Sequence, residues 1–154
     1  MVNAAYVDGL KMLARRELSE AQIRQRLARK QHAADDVDAA IARLRDERAL
    51  DDARVAEAIA RTETSIRRRG KLRVRLQIER AGISKAVARH AIDEVFGALD
   101  NEALLESSLN KRLRGRTTLA DDRERQRLYR YLIAQGFEPD RVRQRLEQFR
   151  VERP

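Results

Sequence analysis

The chain has 154 residues, of which 42% are hydrophobic and 38% are charged, and 34 Lys and Arg against 25 Asp and Glu give a net charge of +9. This length predicts one ordinary domain or a short row of small modules with a packed core. The absence of cysteine excludes disulfides, iron–sulfur clusters, thiolate zinc sites and cysteine nucleophiles. We expect a cytoplasmic protein without membrane contact, because no long apolar run and no secretory leader pattern occur.

Helix-forming residues dominate the composition, and only six glycines and two prolines interrupt them. The chain also lacks β-branched segments with an alternating apolar pattern, which are typical of strands. The sequence therefore predicts an all-α protein.

The first helix is predicted over about residues 3–16, with Val7, Leu10 and Leu13 facing the core. The segment Ser19-Glu20-Ala21-Gln22 has the pattern of a capping box, in which the serine and glutamine side chains pair with backbone N–H groups. We therefore expect the second helix to begin directly after Ser19.

Two further long helices are also predicted to begin at acidic residues and to bury one apolar side. One begins after Asp51-Asp52 and is expected to direct Val55, Ile59 and Ile66 inward. The other begins near Asp100 and is expected to bury Leu104, Leu105, Leu109 and Leu113. The segment 114–118 ends this helix, and Asp121-Asp122 opens the next one.

Three segments of the chain align without gaps, at offsets of 51 and 54 residues. The matched positions are Ile23/Val74/Leu128, Leu27/Ile78/Leu132, Gln31/Gly82/Gly136, His32/Ile83/Phe137, Ile41/Ile92/Leu146 and Leu44/Val95/Phe149. Gly82 and Gly136 are expected to end a helix in the left-handed conformation, which glycine adopts at low cost. His32 departs from the pattern and is interpreted as a partly buried packing residue or a polar substitute. Together the alignment predicts three tandem three-helix repeats, 1–50, 51–98 and 99–154, that form an elongated, curved array.

The residues offer little support for catalysis. His32 and His90 do not have the spacing of a metal pair, and no glycine-rich phosphate loop or Ser/His/Asp arrangement is present. The acidic pairs at 35–36, 51–52 and 121–122 stand where helices begin, so we interpret them as caps and helix-dipole partners rather than metal or acid–base sites. No enzyme activity, cofactor or metal is therefore predicted.

Basic clusters are the most informative feature. The predicted partner-binding or DNA-binding residues are Arg67, Arg68, Arg69, Lys71, Arg73, Arg75, Lys111, Arg112, Arg114 and Arg116. They stand at turns between helices without evident compensating acids, so contact with phosphates or an acidic protein surface is favoured over a merely solvated face. For the further group from Arg24 to Lys30 both interpretations stay open.

The aromatic content of 4% leaves few platforms for base stacking, so any DNA binding is expected to be weak, phosphate-driven and independent of sequence. Tyr129 and Tyr131 flank a core stripe. They are interpreted either as exposed partner contacts or as residues packed against the preceding helix.

Two segments carry a resemblance to a known family. The first comprises Asp51-Asp52-Ala53-Arg54-Val55-Ala56, Arg61, Arg69-Gly70-Lys71, Leu76 and Ile78-Glu79-Arg80-Ala81-Gly82-Ile83, and the second comprises residues 15–27. The first is similar to the central motif of the RecX recombination regulators and the second to the first repeat of that family, and the resemblance covers nearly the whole chain. The family usually has Phe at Val55 and Lys-Gly-Phe at 30–32.

The resemblance implies a regulatory protein that binds the RecA–DNA filament. It implies inhibition of the ATPase, strand-exchange and co-protease activities of RecA, and so modulation of recombination, DNA repair and the SOS response. Separately, we expect the chain to be a monomer. Two alternatives are a general basic helical nucleic-acid-binding protein that acts without RecA and a helical scaffold for another acidic protein.

Overall fold

A computed structural model describes residues 2–152. Nine helices form within this part of the chain: α1 (Ala4–Arg15), α2 (Glu20–Arg29), α3 (Ala34–Asp46), α4 (Asp52–Ser65), α5 (Lys71–Arg80), α6 (Lys85–Gly97), α7 (Asn101–Leu113), α8 (Asp122–Ala134) and α9 (Pro139–Glu147). The predicted all-α class with helical repeats is confirmed.

One small parallel strand pair accompanies the helices. Strand β1 (Thr118–Leu119) lies beside β2 (Arg150–Val151), with Thr118 opposite Arg150 and Leu119 opposite Val151. The sequence did not predict this pair, because two residues are too few to show an alternating pattern.

The helices begin where capping residues predict. The hydroxyl of Ser19 accepts the N–H of Gln22, while the side chain of Gln22 accepts the N–H of Ser19, so the capping box is confirmed. Asp100 and Asp121 cap α7 and α8, and Asp51 accepts the N–H of Arg54 at the start of α4. The pair 35–36 lies in the first turn of α3 without capping it.

The corner between the last two helices of each repeat has the same backbone geometry three times. Gly82 and Gly136 have φ angles of 80° and 96°, and Gln31 at the aligned position has 65°. The next residue is buried in the second and third copies, as Ile83 and Phe137.

In the first copy, His32 stands at this position and is a polar substitute. Its Nε2 lies 2.7 Å from Oδ2 of Asp8 on α1, and its side chain is half-buried. The hydrogen bond with His32 lowers the pKa of Asp8, and Lys30 contributes in the same direction. This interaction ties α1 to the α2–α3 corner.

Two of the predicted core positions are wrong. Leu10 is exposed, because α1 buries the side that carries Ala5, Tyr6 and Gly9, where a Cβ on Gly9 would stand 2.8 Å from Leu44. Ile66 is 73% exposed, because α4 ends at Ser65 and the chain leaves the helical stripe there. The other predicted positions on α4 and α7 are buried or half-buried.

The described residues separate into two compact units. The first contains residues 2–59 and 77–91, and the second contains 60–76 and 92–152. The first has a core from α1, α2 and α3, and the second has a core from α7, α8, α9 and β1. The repeat boundaries 1–50, 51–98 and 99–154 stay a prediction.

In each unit a pair of turns equivalent under the repeat is in contact, and we call these two contacts the first joint and the second joint. In the first joint, the hydroxyl of Ser19 donates to the carbonyl of Ala81, and Gly82 lies against Ala21.

In the second joint, the N–H of Gly70 donates to the carbonyl of Gln135 at 2.7 Å. The N–H of Leu72 donates to the carbonyl of Gly136 at 3.0 Å. Residues 19 and 70, and residues 81 and 135, are equivalent under the repeat offsets. The second joint therefore holds the start of α5 in place.

Candidate partner-binding surface

The ten predicted basic residues all lie in the second unit. Residues 67–69 form the α4–α5 turn, and Lys71, Arg73 and Arg75 lie in the first half of α5. The other cluster, 111–116, covers the last turn of α7 and the turn after it. The neighbours of these side chains distinguish structural cations from available ones.

Arg69 is a structural cation. Its Nη1 lies 2.7 Å from Oε2 of Glu63, and the two side chains are only 17% and 10% exposed. Arg67 lies 3.9 Å from the same carboxylate. Because a buried carboxylate needs a partner, Glu63 holds Arg69 in the turn. The expectation that no acid compensates this cluster is wrong.

Two members of the second cluster also have partners. Arg116 pairs with Glu124 through both guanidinium Nη atoms, and this hydrogen bond lowers the pKa of Glu124. The guanidinium of Arg112 lies 4.1 Å from the ring centre of Tyr131, a cation–π geometry. Tyr131 therefore packs against a side chain of the preceding helix, which is the second of the two interpretations given for it.

Five of the other predicted cations are exposed and available to a partner. Within residues 2–152, no carboxylate pairs with the exposed side chains of Arg68, Lys71, Arg75, Lys111 and Arg114. Lys71 and Arg75 are four residues apart and therefore stand on one face of α5.

Exposed leucines accompany these cations. Of the six large hydrophobic side chains that residues 2–152 expose, three lie here: Ile66, Leu72 at 37% and Leu76 at 38%. The buried stripe of α5 is Val74 and Ile78, and at 100° per residue the two leucines fall on the opposite side. Helix α5 is thus apolar on two faces.

We call this patch the α4–α5 surface. It comprises Ile66, Arg68, Lys71, Leu72, Arg75 and Leu76. The basic runs in the sequence mark the cations of this surface but not its leucines. The signal was present, because apolar residues at 72 and 76 fall out of phase with those at 74 and 78. An exposed apolar ridge beside positive charge is typical of a protein-binding face.

Within residues 2–152 there is neither a membrane-spanning helix nor a cluster of metal ligands. The helices of this range are too short and too polar to span a bilayer. No three His, Asp or Glu side chains in that range are grouped as metal ligands.

Comparison with known proteins identifies the family. The model of the RecX first three-helix domain matches residues 5–44. Regulatory protein RecX of Chromohalobacter salexigens is 36% identical over 138 residues, which cover 88% of this chain and 86% of the relative. The chain belongs to the RecX family. Regulatory protein RecX of Halorhodospira halophila is 32% identical over 135 residues, covering 87% of this chain and 81% of the relative.

Solved structures agree on the fold. The crystal structure of RecX from Lactobacillus salivarius superposes with a TM-score of 0.70 at 19% identity, covering 93% of this chain and 94% of that one. A second RecX crystal structure gives 0.75 at 21% identity, covering 93% and 70%. The RecX fold is therefore shared, and family membership gives the chain a regulatory role of the RecX type.

Proposed function

We propose that this protein binds the RecA–DNA filament and inhibits its ATPase, strand-exchange and co-protease activities. It would thereby modulate recombination, DNA repair and the SOS response, without an active site of its own. Membership in the RecX family is the observation that carries this proposal.

The α4–α5 surface is the proposed contact with RecA. Phosphates would use the cations there but would gain nothing from Leu72 and Leu76, whereas an acidic protein surface with an apolar groove would use both. Charge would steer and orient the complex, and the leucines would supply much of the specificity. Lys111 and Arg114 supply further positive charge within the same unit.

Inhibition would result from a bridge between adjacent RecA protomers. A regulator that contacts two protomers at once resists the rearrangement that accompanies each round of ATP hydrolysis. Such a bridge acts at fewer copies of regulator than of RecA, because one block affects its neighbours in a polymer.

The direct test uses purified RecA on single-stranded DNA with ATP. We expect substoichiometric protein to lower the ATPase rate and to shorten filaments seen by electron microscopy. Unchanged ATPase rate and filament length would show that the proposal is wrong.

A matched pair of variants locates the contact. Lys71→Glu with Arg75→Glu should weaken inhibition strongly, as should Leu72→Gln with Leu76→Gln. The control is Lys85→Glu with Arg89→Glu, which makes the same charge change with the same spacing on the exposed side of α6. Arg69 is left intact, because a second carboxylate beside buried Glu63 would destabilise the turn. Equal losses in the two charge-reversal variants would instead indicate general electrostatic attraction.

The alternative is a basic nucleic-acid-binding protein that needs no RecA. It predicts tight binding to naked DNA with a steep dependence on salt. Titration of DNA at two salt concentrations decides the matter, because negligible affinity near about 0.15 M salt removes this as the main function.

A further inference from the structure

Helices α8 and α9 form an open groove of about 560 Å³, which lies apart from the predicted basic clusters. Its lining includes Arg125, Tyr129 and Arg130 from α8 and Arg143, Leu146 and Glu147 from α9. On α8, Tyr129 lies four residues after Arg125, and on α9, Leu146 and Glu147 lie three and four residues after Arg143, so these side chains lie along one side of each helix. The volume is in the range of small-ligand sites.

The groove carries an excess of positive charge. Arg125 is held rigidly, since its Nη1 lies 3.0 Å from Oδ1 of Asp122 and its Nη2 donates to the carbonyl of Phe149 at 2.9 Å. Its Nε is buried and has no hydrogen-bond partner within residues 2–152. Arg125 therefore contributes a fixed charge to the groove.

Two further guanidiniums are exposed and can reach a ligand. Arg130 is exposed, and no carboxylate in the described part of the chain pairs with it. Arg143 pairs with Asp140 at 3.1 Å, but both side chains are mostly exposed, and such pairs contribute little. A phosphate can therefore compete for Arg143 at low cost.

An aromatic ring and a carboxylate complete the groove. Tyr129 is half-buried, packs against the core and lines the groove, so its ring is held in a fixed position. An unstacked base can lie on such a ring, whereas the bases of a duplex are covered by their neighbours. Glu147 can accept a hydrogen bond from an exocyclic amine of a base, but it would repel an acidic peptide.

We propose that the α8–α9 groove is a subsite for a nucleotide of single-stranded nucleic acid. Arg130 and Arg143 bind the backbone phosphate with Arg125 nearby, and the base stacks on Tyr129. This goes beyond the filament proposal, because it assigns single-strand binding by base stacking to a site that does not involve RecA.

The test is fluorescence anisotropy with a labelled oligodeoxycytidylate, whose bases carry an exocyclic amine, and a labelled duplex, at about 0.05 M salt and without RecA. We expect the wild type to prefer the single strand, although the duplex has the higher charge density. Tyr129→Leu should weaken single-strand binding roughly tenfold and leave duplex binding unchanged, while Tyr129→Phe should retain the affinity.

Arginine variants test the phosphate contacts independently of the core. Arg130→Gln and Arg143→Gln should each weaken binding more than Arg127→Gln, an exposed arginine of α8 outside the groove. If all three weaken binding equally, only general electrostatics operates and the subsite does not exist.

Two other outcomes would also overturn the subsite: equal affinity of Tyr129→Leu and wild type for the single strand, or no single-strand binding by the wild type. If Tyr129→Leu does not fold, which thermal unfolding monitored by circular dichroism will show, the arginine variants decide. Because RecA is absent from this assay, its failure leaves the ATPase test of the filament proposal unaffected.

Discussion

The first and second joints connect equivalent turns through different donors. At the first joint, the N–H of Ser19 is engaged by the side chain of Gln22 at 2.9 Å, so the hydroxyl of Ser19 donates to the facing carbonyl. At the second joint, Gly70 has no side chain and the residue three positions on is Arg73, which carries no acceptor. The N–H of Gly70 is therefore available and donates to Gln135 directly. The local capping pattern therefore decides which donor makes the contact, whereas the same two turns of the repeat meet in both joints.

The joints also differ in the atoms that lie against the glycine in the left-handed conformation. A Cβ on Gly82 would collide with the side chain of Ala21, whereas a Cβ on Gly136 would collide with the backbone and Cβ of Arg73. A side chain can be shortened by mutation and a backbone cannot. The second joint should therefore be the less tolerant of the two.

Gly136→Ala should give the largest loss of stability. The new Cβ meets backbone at a φ of 96°, so strain and overpacking together should cost roughly 2–5 kcal/mol of unfolding free energy. Urea unfolding measures it. Gly115→Ala is the control, because its φ of 84° is similar but nothing lies within 4 Å, so only about 1 kcal/mol is expected. Equal losses would mean that the joint contributes nothing.

Gly82→Ala should cost roughly 2–4 kcal/mol, and part of this loss should be recoverable. Adding Ala21→Gly removes the colliding methyl group, so a double-mutant cycle should show a favourable coupling of about 1–2 kcal/mol. The corresponding cycle of Gly136→Ala with Arg73→Gly should show less coupling, because the collision with backbone persists. Strictly additive losses at Gly82 and Ala21 would contradict the packing described for the first joint.

Ser19→Ala should cost about 1–3 kcal/mol, because it removes both the helix cap and the buried bond to Ala81. Ser19→Gly removes the Cβ together with the hydroxyl but keeps most of the capping preference, so its loss of stability reports mainly on the joint. Chemical denaturation of both variants measures the difference. Wild-type stability in Ser19→Gly would show that the hydroxyl bond to Ala81 has no net effect.

The smallest effect concerns the α2–α3 corner, where His32 and Asp8 interact. The pKa of Asp8 lies below its ordinary value of 3.8, so the carboxylate stabilises the fold above that pH, and the contribution is lost as the pH falls through the lowered pKa. On going from about pH 5 to about pH 3, Asp8→Asn should therefore lose less thermal stability than the wild type. Melting curves at the two pH values test this, and parallel losses in both proteins would refute it.

Much of the local structure was predictable from sequence. Helix starts follow from Ser19, Asp51, Asp100 and Asp121, and the corner glycines mark helix ends, because capping and left-handed turns involve residues only a few positions apart. The aligned corner at Gln31 shows that the repeat pattern holds even where glycine is absent. The candidate site was located in part, since its cations stand in conspicuous runs.

The rest of the site depended on contacts between distant positions. The pairing of Arg116 with Glu124 and the stacking of Arg112 on Tyr131 join residues that are eight or more positions apart. The α8–α9 groove likewise joins two helices whose charges look like ordinary solvated faces in the sequence.

By itself, the sequence determined the helical class, the threefold repeat and the helix ends, because these depend on hydrogen bonds and periodicity within short segments. Only the tertiary structure decided which cations stay available, which leucines face outward and which donor completes each joint. Those properties depend on burial and on partners from other helices, and periodicity along one helix does not specify them.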